Sequence, residues 1–140
     1  MTFSINIAAV LVAGLAAFAV GFLWHGPLFG KQWLKLKEIP QSEVDAMRVK
    51  GMGPMAPHMI AAYIQQVVVA GVIAHLSLAL GLNGAGAAVL FAVLLWVGFY
   101  VTALLNGVLW ERKKPGLYFF EIAYHLVSII VVTLIVVLWR

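Results

Sequence analysis

The sequence predicts an all-α integral membrane protein, a four-transmembrane-helix bundle with a short cytoplasmic amphipathic segment between helices 1 and 2. Three observations carry this. The 140 residues are 64% hydrophobic and 10% charged, against about 45–50% apolar and 25% charged in soluble domains. Four apolar runs reach the ~20 residues that a helix needs to cross a bilayer core. The basic residues cluster in alternate connections between those runs, the distribution that membrane topology imposes.

The spans are expected at about 3–24, 57–82, 85–110 and 117–139, within a single membrane domain over 1–140. The start, Met1-Thr2-Phe3-Ser4, lacks a positive n-region. Ala17-Phe18-Ala19 has the form of a cleavage site, but the apolar run continues through it to Trp24, so an uncleaved span is expected. That span closes on Trp24-His25-Gly26-Pro27-Leu28-Phe29-Gly30-Lys31-Gln32-Trp33, where aromatic residues and then lysines mark an exit from lipid. Pro27 has no N–H to donate and disfavours a helical Gly26, which predicts a kink or an end there and leaves His25 beside irregular backbone.

The polar segment that follows ends in breakers, Gly51 to Pro57. Ser42 and Asp45 approximate a capping box for a short helix with Val44 and Met47 on one side, expected to lie along the headgroups. Met52, Met55 and Met59 read as adaptable filler beneath it. The second connection, around Asn83, is a tight uncharged turn; the third, Glu111 to Gly116, is short and basic. Lys31, Lys35, Lys37, Arg48 and Lys50 lie in the first connection, Arg112, Lys113 and Lys114 in the third, and Arg140 alone on the other side. The positive-inside bias therefore puts loops 25–56 and 111–116 in the cytoplasm and both termini outside, in the cell (inner) membrane. This topology also accounts for the net charge of +4 without nucleic acid. The absence of cysteine excludes disulfide and thiolate chemistry.

Small residues at four-residue steps, Ala9, Ala13, Ala17 and Gly21, form a packing ridge that leads to His25; Gly98, Thr102 and Asn106 form another. Trp24, Trp33, Trp110, Trp139, Tyr63 and Tyr118 read as interfacial anchors, Trp96 as packing, and His75, with Asn6 in its vicinity, as a structural histidine.

Polar groups at membrane depth mark a site or a paired interior position. His58 and Gln65 share one face of the second span, and Asn106 and Thr102 lie in the third. Glu121, His125 and Ser128 follow i, i+4, i+7 spacing on the fourth. With His25, these gather in the half nearest the basic loops. Glu121 and His125 form the sharpest pair, since a carboxylate one turn from an imidazole can hold or pass a proton, or bind a cationic or hydrogen-bonding ligand. The competing reading pairs Glu121 with an interfacial lysine or arginine, and His125 with Asn106 or Gln65, to tie helices together. His25, His58, His125 and Glu121 are metal-ligand types without a metal-binding motif, so no metal is assigned, and no haem or other cofactor is called for.

The Gly21–Trp33 stretch resembles the first-span ending W-[YH]-G-P-L-F-G-x-x-W of the uncharacterised membrane family DUF1761, and Ala123-Tyr124-His125-Leu126-Val127 is similar to its last-span motif. Length and layout agree over nearly the whole chain. The resemblance implies a small bacterial-type four-span membrane protein, with no activity, substrate or catalytic residue attached. Three function classes follow: a carrier or channel for a small solute or ion, an accessory subunit, or an oligomeric intramembrane enzyme. Small trimeric enzymes of the glutathione-using MAPEG group have this size, but their motif is absent. The expected partners are the lipid bilayer, an unidentified small molecule and further copies of the chain as a dimer or trimer.

Overall fold

A computed structural model describes residues 4–51 and 53–140. Phe3, the expected start of the first span, and Met52 of the methionine cluster lie outside the described residues. Among those described, the chain is helical and carries no strand, and four helical segments are long and apolar enough to cross a membrane.

α1 (Ile7–Leu23) is capped by Asn6, whose side chain accepts from the Ala9 N–H at 3.2 Å and so satisfies one of the free donors of a helix start. It runs into a π-helical turn at Trp24–Leu28, making a first span of Ile7–Leu28. Within the turn Gly26 leaves helical geometry at φ −120°, ψ −106°, since the Pro27 ring crowds a helical residue before it and glycine tolerates the alternative. α2 (Gly30–Leu36) and α3 (Gln41–Lys50) follow. The Ser42–Asp45 capping box does not form. Pro40, with its fixed φ, occupies the N-cap and places Ser42 inside the helix, while Asp45 accepts from Gln41 at 3.0 Å. Val44 is buried and Met47 exposed.

α4 (Ala56–Ala79) gives a second span of Gly53–Ala79. It ends three residues before the expected Leu82 because Gly81 adopts φ +63°, a conformation that ends helices. The third span, Gly84–Trp110, comprises α5 (Gly84–Leu95), a π-helical turn at Trp96–Val101 and α6 (Thr102–Trp110). α7 (Pro115–Leu138) is the fourth span.

α7 is the hub. α1, α4 and α7 pack on one another, and the third span is laid along α7 through α5, its π turn and α6. Small residues permit this closeness, since helices in lipid associate through close backbone approach. Ala9, Ala13 and Ala17 are fully buried, as are Val132 and Thr133 of α7. Gly14 meets α4, where a Cβ would stand 2.6 Å from Val67 Cγ2. Gly21 meets α7, where a Cβ would stand 2.9 Å from the Tyr124 hydroxyl.

Cross-helix hydrogen bonds complete the packing and revise three aromatic assignments. Tyr63 donates to the Leu11 carbonyl at 3.1 Å, Tyr118 to Val101 at 2.8 Å and Trp96 Nε1 to Ile122 at 2.7 Å. Tyr63 and Tyr118 thus tie helices together rather than only anchoring ends, and Trp96 bonds as well as packs. Within the π turn the Gly98 carbonyl takes its bond from the Thr102 hydroxyl at 2.6 Å. Trp110 and Trp139 face outward.

Candidate functional site

The π turn aims His25 at α7. His25 Nδ1 lies 2.9 Å from the Gly21 carbonyl; a carbonyl only accepts, so the ring hydrogen of this bond sits on Nδ1. Nε2 then faces Glu121 Oε1 at 3.9 Å, an ion-pair separation. With Nδ1 already protonated, Nε2 and a carboxylate oxygen are two acceptors facing each other, and they become complementary when one proton joins the pair. Three aromatic rings hold the imidazole in place edge-on: Tyr124 at 5.0 Å, Trp33 at 5.3 Å and Phe120 at 5.6 Å between centroids. Trp24 packs beside them, 4.7 Å from Phe29. The indole N–H groups of Trp24 and Trp33 are buried with no acceptor among the described residues.

His25 stands on the wall of two cavities. One is a groove of 470 Å³ between α1 and α4, where Phe18, Phe22 and Met59 supply apolar surface and His25, His58 and Tyr124 polar atoms. The other, of 650 Å³, lies beyond the π turn, with Lys31, Gln32 and Arg48 on its wall. Glu121 borders a third, of 180 Å³, opposite Lys37 and Lys113. The His25–Glu121 pair therefore adjoins three spaces of different character, an apolar groove and two with basic residues on their walls.

A family profile described as "Protein of unknown function (DUF1761)" matches residues 8–137, nearly the whole chain. The chain belongs to the DUF1761 family. No curated protein and no solved structure matches it. The DUF1761 match covers the four spans but for Ile7 and Leu138, and every residue of the site from His25 to His125.

In this DUF1761 chain the residues singled out by sequence do not gather in one place. Glu121 pairs with His25 from another helix rather than with an interfacial lysine or arginine. His125, one turn on, packs against Tyr100 at 4.8 Å and Tyr124 at 4.7 Å, towards the third span. The expected bond from His125 to Asn106 or Gln65 does not form. Asn106 is exposed on the outside of the third span, because the neighbouring Gly107 is the residue α6 turns inward. His58 and Gln65 are exposed side chains bordering the groove. The cross-helix amide is Gln66, whose Nε2 donates to the Tyr124 hydroxyl at a long 3.5 Å. Among the described residues, no three of His25, His58, His125 and Glu121, nor any other such trio, are grouped to hold a metal. His75 is exposed, bonds through Nδ1 to the Gly71 carbonyl of its own helix, and stands apart from the site. Asn6 serves α1 and the Trp139 carbonyl instead of His75.

Sequence reasoning missed Gln66, Trp33 and Phe120. Trp33 and Tyr124 were visible as parts of the two motifs, but their convergence on His25 depends on how α1 turns against α7. One further pair fixes this end of the molecule: Lys114, at the start of α7, binds Glu38, just past α2. The ammonium holds the Glu38 carboxyl below its ordinary range.

Proposed function

We propose that this protein is a small multi-pass carrier or channel for a hydrogen-bonding solute or ion, with the His25–Glu121 pair as its proton-binding station. One observation carries the reading: His25 adjoins both the groove between α1 and α4 and the basic cavity beyond the π turn, while held against Glu121. A group bordering two spaces can take a proton or hydrogen bond from one and give it to the other, and ionisable groups inside spans mark such pathways by default. His58 and Gln65 line the route into the groove, and His125 orders the aromatic wall behind it. The positive-inside bias orients the Lys-rich end to the cytoplasm of a bacterial-type inner membrane, with both termini outside. No catalytic residue is assigned.

The test is proteoliposomes holding a trapped pH dye, challenged with a panel of amines, amino acids, organic acids and inorganic ions. Wild-type protein gives solute-dependent proton movement, and Glu121→Gln, assembled to the same mass, gives none. Identical traces from the two contradict the proposal.

A second reading, an accessory subunit that self-associates, is favoured by the outer face of the third span. Gly98, Thr102 and Asn106 are all exposed there, and an amide facing lipid finds its hydrogen bonds on another helix. On this reading a dimer or trimer forms through that face. Asn106→Leu then lowers the mass seen by native mass spectrometry and leaves proton movement unchanged.

A further inference from the structure

α3 stands over two adjoining cavities and makes little direct packing with the spans; Val44 is its buried residue. The cavity on one side, 650 Å³, has Lys31, Gln32 and Arg48 on its wall. The cavity on the other, 460 Å³, is walled mostly by apolar side chains, among them Leu34, Val44, Met47 and Met55, with Arg48 and Lys50 also on its wall. Leu34 and Arg48 belong to both walls, so the basic space and the apolar space meet along one edge. No carboxylate borders either cavity, and among the described residues neither Lys31 nor Arg48 is ion-paired. The same elements therefore present unpaired cations beside an open apolar cavity, under a helix with little packing on the spans.

We infer that α2, α3, Gly51, Pro54 and Met55 form a binding site for one anionic phospholipid. The phosphate lies against Lys31 and Arg48, and an acyl chain lies along Leu34, Val44 and Met47. Arg48 suits the shared edge, since a long basic side chain can lay its stem on apolar surface while its head meets an anion. A free phosphate would use only the basic half and leave the apolar half open. A zwitterionic lipid would use the apolar half and leave the cations partly unmatched. The bound lipid supplies the contacts that α3 lacks. The headgroup would occupy the 650 Å³ cavity that also borders His25, but lipid binding is read without any transport measurement, so its failure and the failure of the proton station are told apart.

The experiment is native mass spectrometry of the full chain, delipidated in detergent and titrated with phosphatidylglycerol or with phosphatidylcholine of the same acyl composition. One tight phosphatidylglycerol adduct per chain is expected, with phosphatidylcholine much weaker. Each basic side chain near an anionic lipid contributes roughly a fivefold gain, so Lys31→Glu with Arg48→Glu costs roughly thirtyfold or more in phosphatidylglycerol affinity. Phosphatidylcholine binding stays unchanged, which also reports that the double variant is folded. Met47→Ser weakens both lipids, and inorganic phosphate does not compete. The proposal is overturned if the two lipids bind alike, if the double variant binds phosphatidylglycerol as wild type does, or if inorganic phosphate displaces the lipid. It is equally overturned if the control Lys113→Glu, in the other basic loop, costs as much as the double variant.

Discussion

Gly14→Ala is the sharpest probe of the packing that brings the site together. The added methyl would stand 2.6 Å from Val67 Cγ2 and 3.1 Å from both Val67 Cα and Val67 N. Val67 is stiff at χ1 and its backbone belongs to α4, so neither atom can swing aside; α1 and α4 must separate. Overpacking of this kind costs about 1–3 kcal/mol, against a gain of about 0.5–1 kcal/mol from replacing a helical glycine by alanine. Combining the two gives a net loss of roughly 0–2.5 kcal/mol. Gly86→Ala is the matched control, since nothing lies within 4 Å of its Cβ position; it leaves stability unchanged or raised. Val67→Ala in the Gly14→Ala background removes the closest atom and recovers part of the loss. Reversible unfolding in mixed micelles reads all four proteins. Gly14→Ala as stable as Gly86→Ala would refute the close α1–α4 contact.

Three further outcomes are expected. Trp96→Phe keeps a ring but loses the bond to the Ile122 carbonyl, costing about 0.5–1.5 kcal/mol in the same unfolding assay, and Tyr118→Phe behaves alike at the Val101 carbonyl; no loss in either would detach the third span from α7. Gly81→Ala places a side chain at φ +63° and costs about 1–2 kcal/mol, whereas Gly81→Asn costs less; equal losses would deny the left-handed turn. Glu38 has its carboxyl pulled down by Lys114, so its tether from α2 to α7 holds at neutral pH and is lost as pH falls through that lowered value. Carbon-13 titration of the Glu38 carboxyl should therefore give a midpoint below about 4.3, returning near it in Lys114→Ala; a midpoint unmoved by Lys114→Ala would break the tether.

Much of the fold was legible because membrane constraints are written in composition. The four spans, the break at Gly26-Pro27 and the small-residue ridge of α1 all follow from residue type and spacing. The π turn at Trp96–Val101 was not legible, since no proline or glycine pair announces it; its sequence, Trp-Val-Gly-Phe-Tyr-Val, is ordinary for a span. The site was half legible. His25 and Glu121 were singled out, but Glu121 was matched with His125 because spacing along one helix can be counted. The rotation of α1 about its axis is set by which small residues abut α7, and that decides that His25 meets Glu121. The same difficulty exchanged Gln65 for Gln66 and turned Asn106 outward. Neighbouring positions on a helix differ by about 100°, so a modest error in phase exchanges an inward residue for an outward one.

The pairing of His25 with Glu121 underlies the functional reading, and nitrogen-15 NMR of the His25 imidazole in lipid bilayers tests it most directly. A hydrogen on Nδ1 is expected, with an Nε2 resonance that shifts when Glu121 becomes Gln and is indifferent to His58→Gln. An Nε2 resonance unmoved by Glu121→Gln, or a ring hydrogen-bonded through Nε2 alone, would contradict the pair and the proton station built on it.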